Sequence, residues 1–128
     1  MNFDWTGFLL LAEALQSSPD APGPPEAAFR SAASRAYYAA FHCALNRACK
    51  EGYTPYYSGS DHEKVQAHFR DYRPSDQIRR KVALELDRLY DHRRKADYSD
   101  VLDRQPSSLA CQAIGMAKSV LKNLDSLA

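Results

Sequence analysis

Three residues in one short run, "SRAYYAAFH" (34–42), have the side chains that move protons and hold phosphates: Arg35, Tyr38 and His42. Seven steps of an α-helix come to roughly two turns, so Arg35 and His42 share a face about 10 Å apart along the backbone. Tyr38 falls between them on the same face. A neutral imidazole suits a general base near pH 7, because its unperturbed pKa is about 6.5. A guanidinium stays protonated and can hold two phosphate oxygens at once. These two groups suffice to cleave RNA without a metal. The base takes the 2′-hydroxyl proton, the 2′-oxygen attacks the adjacent phosphate in line, and the cation stabilises the added charge of the transition state. Tyr38 would orient a phosphate through its hydroxyl.

A structural reading of the same residues stays open beside this one. In it His42 and Tyr38 are partly buried and hydrogen-bonded, and Arg35 pairs with Asp97. Spacing does not choose between them, since eleven arginines and four histidines yield roughly one such Arg–His pair by chance. Two turns is also a long separation within one monomer, so a seam between two copies would help the chemistry.

A second candidate surface runs from Arg70 to Lys95, with nine basic residues against five acidic ones. Arg79, Arg80, Arg93 and Lys95 are its candidate contacts to an RNA backbone. The alternative is a solvated helix face of mixed charge. His62 and His68 are six apart, which is not the spacing of a helical metal site. The five glycines form no phosphate-cradling loop, which sets aside NTPases and dinucleotide enzymes. Neither a metal nor a cofactor is expected.

The elements that would position these residues are helical. Residues 2–17 place Trp5, Phe8, Leu9, Leu11, Ala12 and Leu15 along one side. Pro22, Pro24 and Pro25 interrupt the pattern, and Pro25 with Glu26 suits the first turn of a new helix. Nine alanines between Ala27 and Ala48 carry that helix to about Glu51, and Gly52 ends it. "GYTPYYSGSDH" is a loop with three tyrosines, Tyr53, Tyr56 and Tyr57, expected to be exposed. A short helix spans about His62 to Tyr72. Ser75 or Asp76 caps the next, from about Gln77 to Ala96, with Val82, Leu86, Leu89 and Tyr90 inward. The last begins near Pro106 and turns Leu109, Ala113, Met116, Ala117, Val120, Leu121 and Leu124 to one face. The expected architecture is an all-α, up-and-down bundle of four long helices and one short one, in a single domain of residues 1–128.

Composition is compatible with a soluble globular chain: 128 residues, 45% hydrophobic, 26% charged, net charge +1. Such a balance gives no global nucleic-acid signature, so any such surface must be local. "GFLLLAEAL" is too short for a signal peptide and is preceded by Asp4 rather than basic residues, and no stretch is long enough to span a bilayer. Three cysteines without a CxxC pair fit a reducing cytoplasm, with Cys43 and Cys111 as small core residues. Apolar faces on both terminal helices predict a homodimer.

The run "FRSAASRAYYAAFHCAL" (29–45), followed by "LDRLYDHRRKADYSD" (86–100), resembles the small HEPN-domain proteins of bacteria and archaea. The matching blocks are the Tyr-Tyr-Ala-Ala-Phe-His helix, the Ala-Asp-Tyr segment from Arg94 to Tyr98, and the Ala-rich closing helix. The resemblance implies an up-and-down bundle of four to five helices that pairs into a dimer. For active members it implies metal-independent endoribonuclease chemistry through an Arg-x(4–6)-His motif, often beside a small nucleotidyltransferase as a toxin–antitoxin pair. One departure stands out. The family's motif usually lies late, near the turn into the final long helix, where this chain has Tyr98, Ser99 and Asp100. The compatible pair here is Arg35 and His42. Asp97 is expected to be structural, paired with Arg94 and tying its helix to Arg35 or another arginine of the second helix.

Overall fold

The densest run of alanine becomes the longest helix and the centre of the molecule. The computed structural model describes residues 2–21 and 23–127, so Pro22 lies outside the described residues. Its five helices are α1 (Thr6–Ser17), α2 (Pro25–Lys50), α3 (Asp61–Asp71), α4 (Gln77–Tyr98) and α5 (Pro106–Ser126). No strand occurs among the described residues, and no helix is long and apolar enough to cross a membrane. α2 packs against all four other helices. Ala32, Ala33, Ala36, Ala39, Ala40, Ala44 and Ala48 are fully covered by them, which small side chains permit because neighbouring helices can close in from several sides.

Local chemistry sets the helix ends. Pro25 opens α2 with Glu26 at the positive end of the dipole. Gly52, at φ +101°, turns the chain in the left-handed region, and the Tyr53 N–H returns to the Ala48 carbonyl at 3.0 Å. Asp76 caps α4, accepting from the N–H groups of Ile78 and Arg79. α4 runs two residues past Ala96, to Tyr98. Arg30 of α2 donates there to the carbonyls of Ala96 and Ser99, at 3.1 and 2.5 Å, and so satisfies acceptors that a helix end leaves open.

Some expectations about the bundle change. α1 has 12 residues and α3 has 11, so three helices are long and two are short. The reason is Asp4, whose side chain accepts from the Thr6 N–H at 3.0 Å and the Thr6 hydroxyl at 2.6 Å, starting the helix there. Leu11 then faces outward, while Leu9 and Ala12 face the core. On α5, Leu109, Ala113, Ala117, Val120 and Leu124 are buried as expected, with Met116 and Leu121 at the margin. Cys111, expected in the core, is exposed on α5, and Cys43 is only partly covered.

Arg79, read from its charge as an RNA contact, is the largest fully buried side chain, 2% exposed. Its guanidinium donates to both oxygens of Glu51 at the end of α2, at 2.9 and 2.7 Å, and lies over the rings of Phe69 and Tyr72. His68 of α3 and Arg47 of α2 reach the same carboxylate. The cluster ties α2, α3 and α4 together at one end of the bundle. It leaves no guanidinium free for a phosphate.

Candidate functional site

Halfway along α2, positions 37, 38, 41 and 42 form a patch of four rings, two turns of one helix side. Tyr37 and Phe41 point inward and are buried, while Tyr38 and His42 sit at the margin, half-covered. α1 supplies Trp5, just before its first turn, and the Trp5 ring lies flat on His42 with 3.6 Å between centroids and 11° between planes. α3 supplies His62 in its first turn, over Phe41 at 4.7 Å and stacked on Tyr90 of α4 at the same separation. Tyr38, Phe41, His42 and His62 line one pocket of about 350 Å³, together with Leu45, Asp61 and the loop residues Tyr57, Ser58 and Gly59. That volume is at the small end for ligand pockets, room for a group of nucleoside size.

Burial lowers the pKa of both imidazoles below the ordinary value of 6.5. For His42 the neighbouring His62 adds to the effect. For His62 the Arg93 cation adds to it and Asp61 opposes it. Both rings are therefore neutral at pH 7. They differ in hydrogen bonding. His62 Nδ1 shares a hydrogen bond with the Tyr37 hydroxyl. Burial pushes the Tyr37 pKa far up, so the phenol keeps its proton. The imidazole tautomer sets which of the two donates. His42 has no hydrogen-bond partner among the described residues. Its lone pair is open.

Of the three sequence candidates, Tyr38 and His42 meet in this pocket. Arg35 stands beside it: its guanidinium packs over Phe8 at 4.9 Å and Tyr38 at 5.5 Å, with no carboxylate partner among the described residues. The expected Arg35–Asp97 pair is not formed. Asp97 accepts instead from Ser34, at 3.1 Å, and so still ties α4 to α2. Its ion-pair partner is Arg93, one helical turn back at 3.6 Å, rather than Arg94. Arg94 stands exposed, near the Tyr90 ring. Both spacings allow an ion pair on a helix, but the Arg94 guanidinium lies by the Tyr90 ring, one turn back, instead of at Asp97.

The proposed RNA strip comes apart in the same way. Arg93 is only 8% exposed, enclosed by the rings of Tyr37, Tyr38, Tyr90 and Tyr98 at 5.3 to 5.9 Å. Lys95 bridges Asp91 and Asp103. Arg80, of the four, stands exposed with no partner among the described residues.

Sequence reasoning passed over three members of the site. In the sequence His62 stands out only beside His68, as a candidate metal ligand, yet the two belong to separate clusters, His68 to Glu51 and His62 to Tyr37. Trp5 read as an ordinary apolar residue of the first helix. Tyr57 read as one of three loop tyrosines. Tyr53, expected to be exposed like it, turns inward and donates to buried Asp61 at 2.5 Å. Comparison of the chain with family models, with curated proteins and with solved structures gives no match.

Proposed function

We propose that the chain binds RNA at the pocket between α2 and α3 and cleaves it without a metal, in the manner of an HEPN-type ribonuclease. The observation that carries this reading is that His42 and His62 line one open pocket, both held toward the neutral form. His42, with its open lone pair, takes the proton of a 2′-hydroxyl. The 2′-oxygen attacks phosphorus, the P–O5′ bond breaks, and the leaving oxygen recovers the proton from the His42 imidazolium through solvent. The products are a 2′,3′-cyclic phosphate and a 5′-hydroxyl. With the Tyr37 hydroxyl donating to its Nδ1, His62 carries its proton on Nε2 and donates it to a phosphate oxygen, and Arg35, packed on Tyr38, adds a fixed positive charge beside the pocket.

The test is incubation of single-stranded RNA with purified protein in chelator. Wild type should release cyclic-phosphate ends, and His42→Ala should reduce the rate about 100-fold or more with the fold retained by circular dichroism. A wild-type protein that never cuts ends the cleavage reading.

A second reading has its own support. The Trp5 ring covers one face of His42, and Arg35 turns to Phe8 rather than lining the pocket. Both suit a module that binds a nucleotide or partner without chemistry. Binding without cleavage in the same assay selects it. A homodimer is part of either proposal: Leu10 and Leu11 stand exposed on α1, and light scattering of 14.4 kDa at tens of micromolar would count against it.

A further inference from the structure

Tyr57, at the rim of the histidine pocket, combines two properties that oppose each other energetically. It has φ +55°, the left-handed region that a residue with a Cβ enters at a cost, and its side chain is 88% exposed. An aromatic ring left in water gains no burial to offset such a backbone. The conformation is held from below. Asp61, buried at the start of α3, accepts from the Tyr57 N–H at 2.8 Å and the Tyr56 N–H at 3.0 Å, besides the Tyr53 hydroxyl. Those bonds hold the Asp61 carboxyl below its ordinary pKa against the opposing effect of burial. The carboxylate is thus charged at neutral pH, and the loop is fixed where it displays Tyr57. Strained backbone that presents an exposed side chain at a pocket is the kind of expense found at ligand sites.

We infer that Tyr57 is a stacking platform for one unpaired nucleobase of a single-stranded RNA bound in the pocket with His42 and His62. The inference rests on the RNA reading of this pocket and names the part of the RNA that the rim recognises. Besides Tyr57 the pocket is lined by Tyr38, Phe41 and Leu45, flat or apolar surfaces suited to a base. Base–aromatic stacking is sequence-tolerant, because every base has a π-face, and it needs a base free of its duplex neighbours. The expected ligand is therefore single-stranded, with little preference among bases but a strong requirement that a base be present.

The experiment uses fluorescence anisotropy with the full chain and two probes that cannot be cut. One is a labelled 2′-O-methyl oligoadenylate, and the other is a 2′-O-methyl chain of the same length without bases. Wild type should bind the first about tenfold more tightly than the second. Tyr57→Gly should abolish that difference, and Tyr57→Phe should restore it. Glycine keeps the N–H that Asp61 holds and suits the left-handed backbone, so its melting temperature should be unchanged or higher. Tyr57→Gly binding oligoadenylate like wild type overturns the inference. If His62→Ala then still loses binding, the RNA reading of the pocket stands without it. Equal wild-type affinity for the two probes, or a melting temperature lowered by Tyr57→Gly, also overturns it. A wild-type protein that binds neither probe refutes both the inference and the reading beneath it.

Discussion

The Arg79 guanidinium grips the Glu51 carboxylate with two hydrogen bonds, at 2.9 and 2.7 Å, across the junction of α4 with the end of α2. Arg79 is almost wholly buried and the Glu51 side chain is 11% exposed, so removing either partner strands a charge. Arg79→Met should therefore destabilise the fold by roughly 3 kcal/mol, read by urea denaturation. A loss under about 1 kcal/mol would mean that the pair behaves like an exposed one.

The same carboxylate gives stability a pH signature. Burial alone would raise the Glu51 pKa, but hydrogen bonds from Arg79, His68 and Arg47 override it and hold the carboxyl at about 2, against an ordinary 4.5. A depressed carboxyl contributes fully above its unfolded pKa and loses that contribution as pH falls through the folded one. On the order of 3 kcal/mol should go between pH 4.5 and 2. His42 and His62, also depressed, give an earlier step. The unfolded chain binds their protons first, so stability already declines as pH drops below about 6.5. Melting temperatures from pH 8 to 3 should show both declines, with the lower one reduced in Glu51→Gln to what Asp61, also depressed, contributes. A flat profile between pH 7 and 5 would contradict the assignment of the imidazoles.

Asp97 is less of a keystone than its neighbourhood of basic residues implied. Its side chain is 33% exposed, its ion pair with Arg93 is long at 3.6 Å, and its firm contact is one hydrogen bond from Ser34. Asp97→Ala should cost about 1 kcal/mol, the scale of a single hydrogen bond. Arg93→Ala should cost clearly more, because it empties a space between four tyrosine rings. Equal losses in the two variants would show that the rings contribute nothing.

What the sequence displayed was local, and what it concealed was partnership. Alanine density, Pro25 and the Asp76 cap act within a turn or two, and α2 and α4 start where those residues placed them. Arg79 and Arg80 look alike in the chain, yet one is enclosed with Glu51, 28 positions earlier, and the other faces water. Charge is written in the sequence; its partner is set by how three helices meet. The pocket shows the same limit. Tyr38 and His42 share a helix face and could be found by counting. His62 and Trp5 join them only because a loop pinned by Asp61 and a helix started by Asp4 deliver them there. No spacing rule links those positions.

Trp5 provides a check on the site that needs no substrate. Its indole covers one face of His42, and burial is the leading cause of the lowered His42 pKa. Trp5 lies ahead of α1 and is only half-buried, so Trp5→Ala opens the imidazole to water without breaking a helix. Its pKa should then rise toward 6.5, followed by NMR titration of the imidazole carbon-bound protons. His62, shielded by Phe41 and Tyr90 rather than by Trp5, should keep its value in the same spectra. If His42 serves as the base, the acidic limb of RNA cleavage should move to higher pH in step with its titration. An unmoved His42 would show that the indole does not govern its hydration. A shifted titration with an unshifted cleavage profile would assign the base to another group.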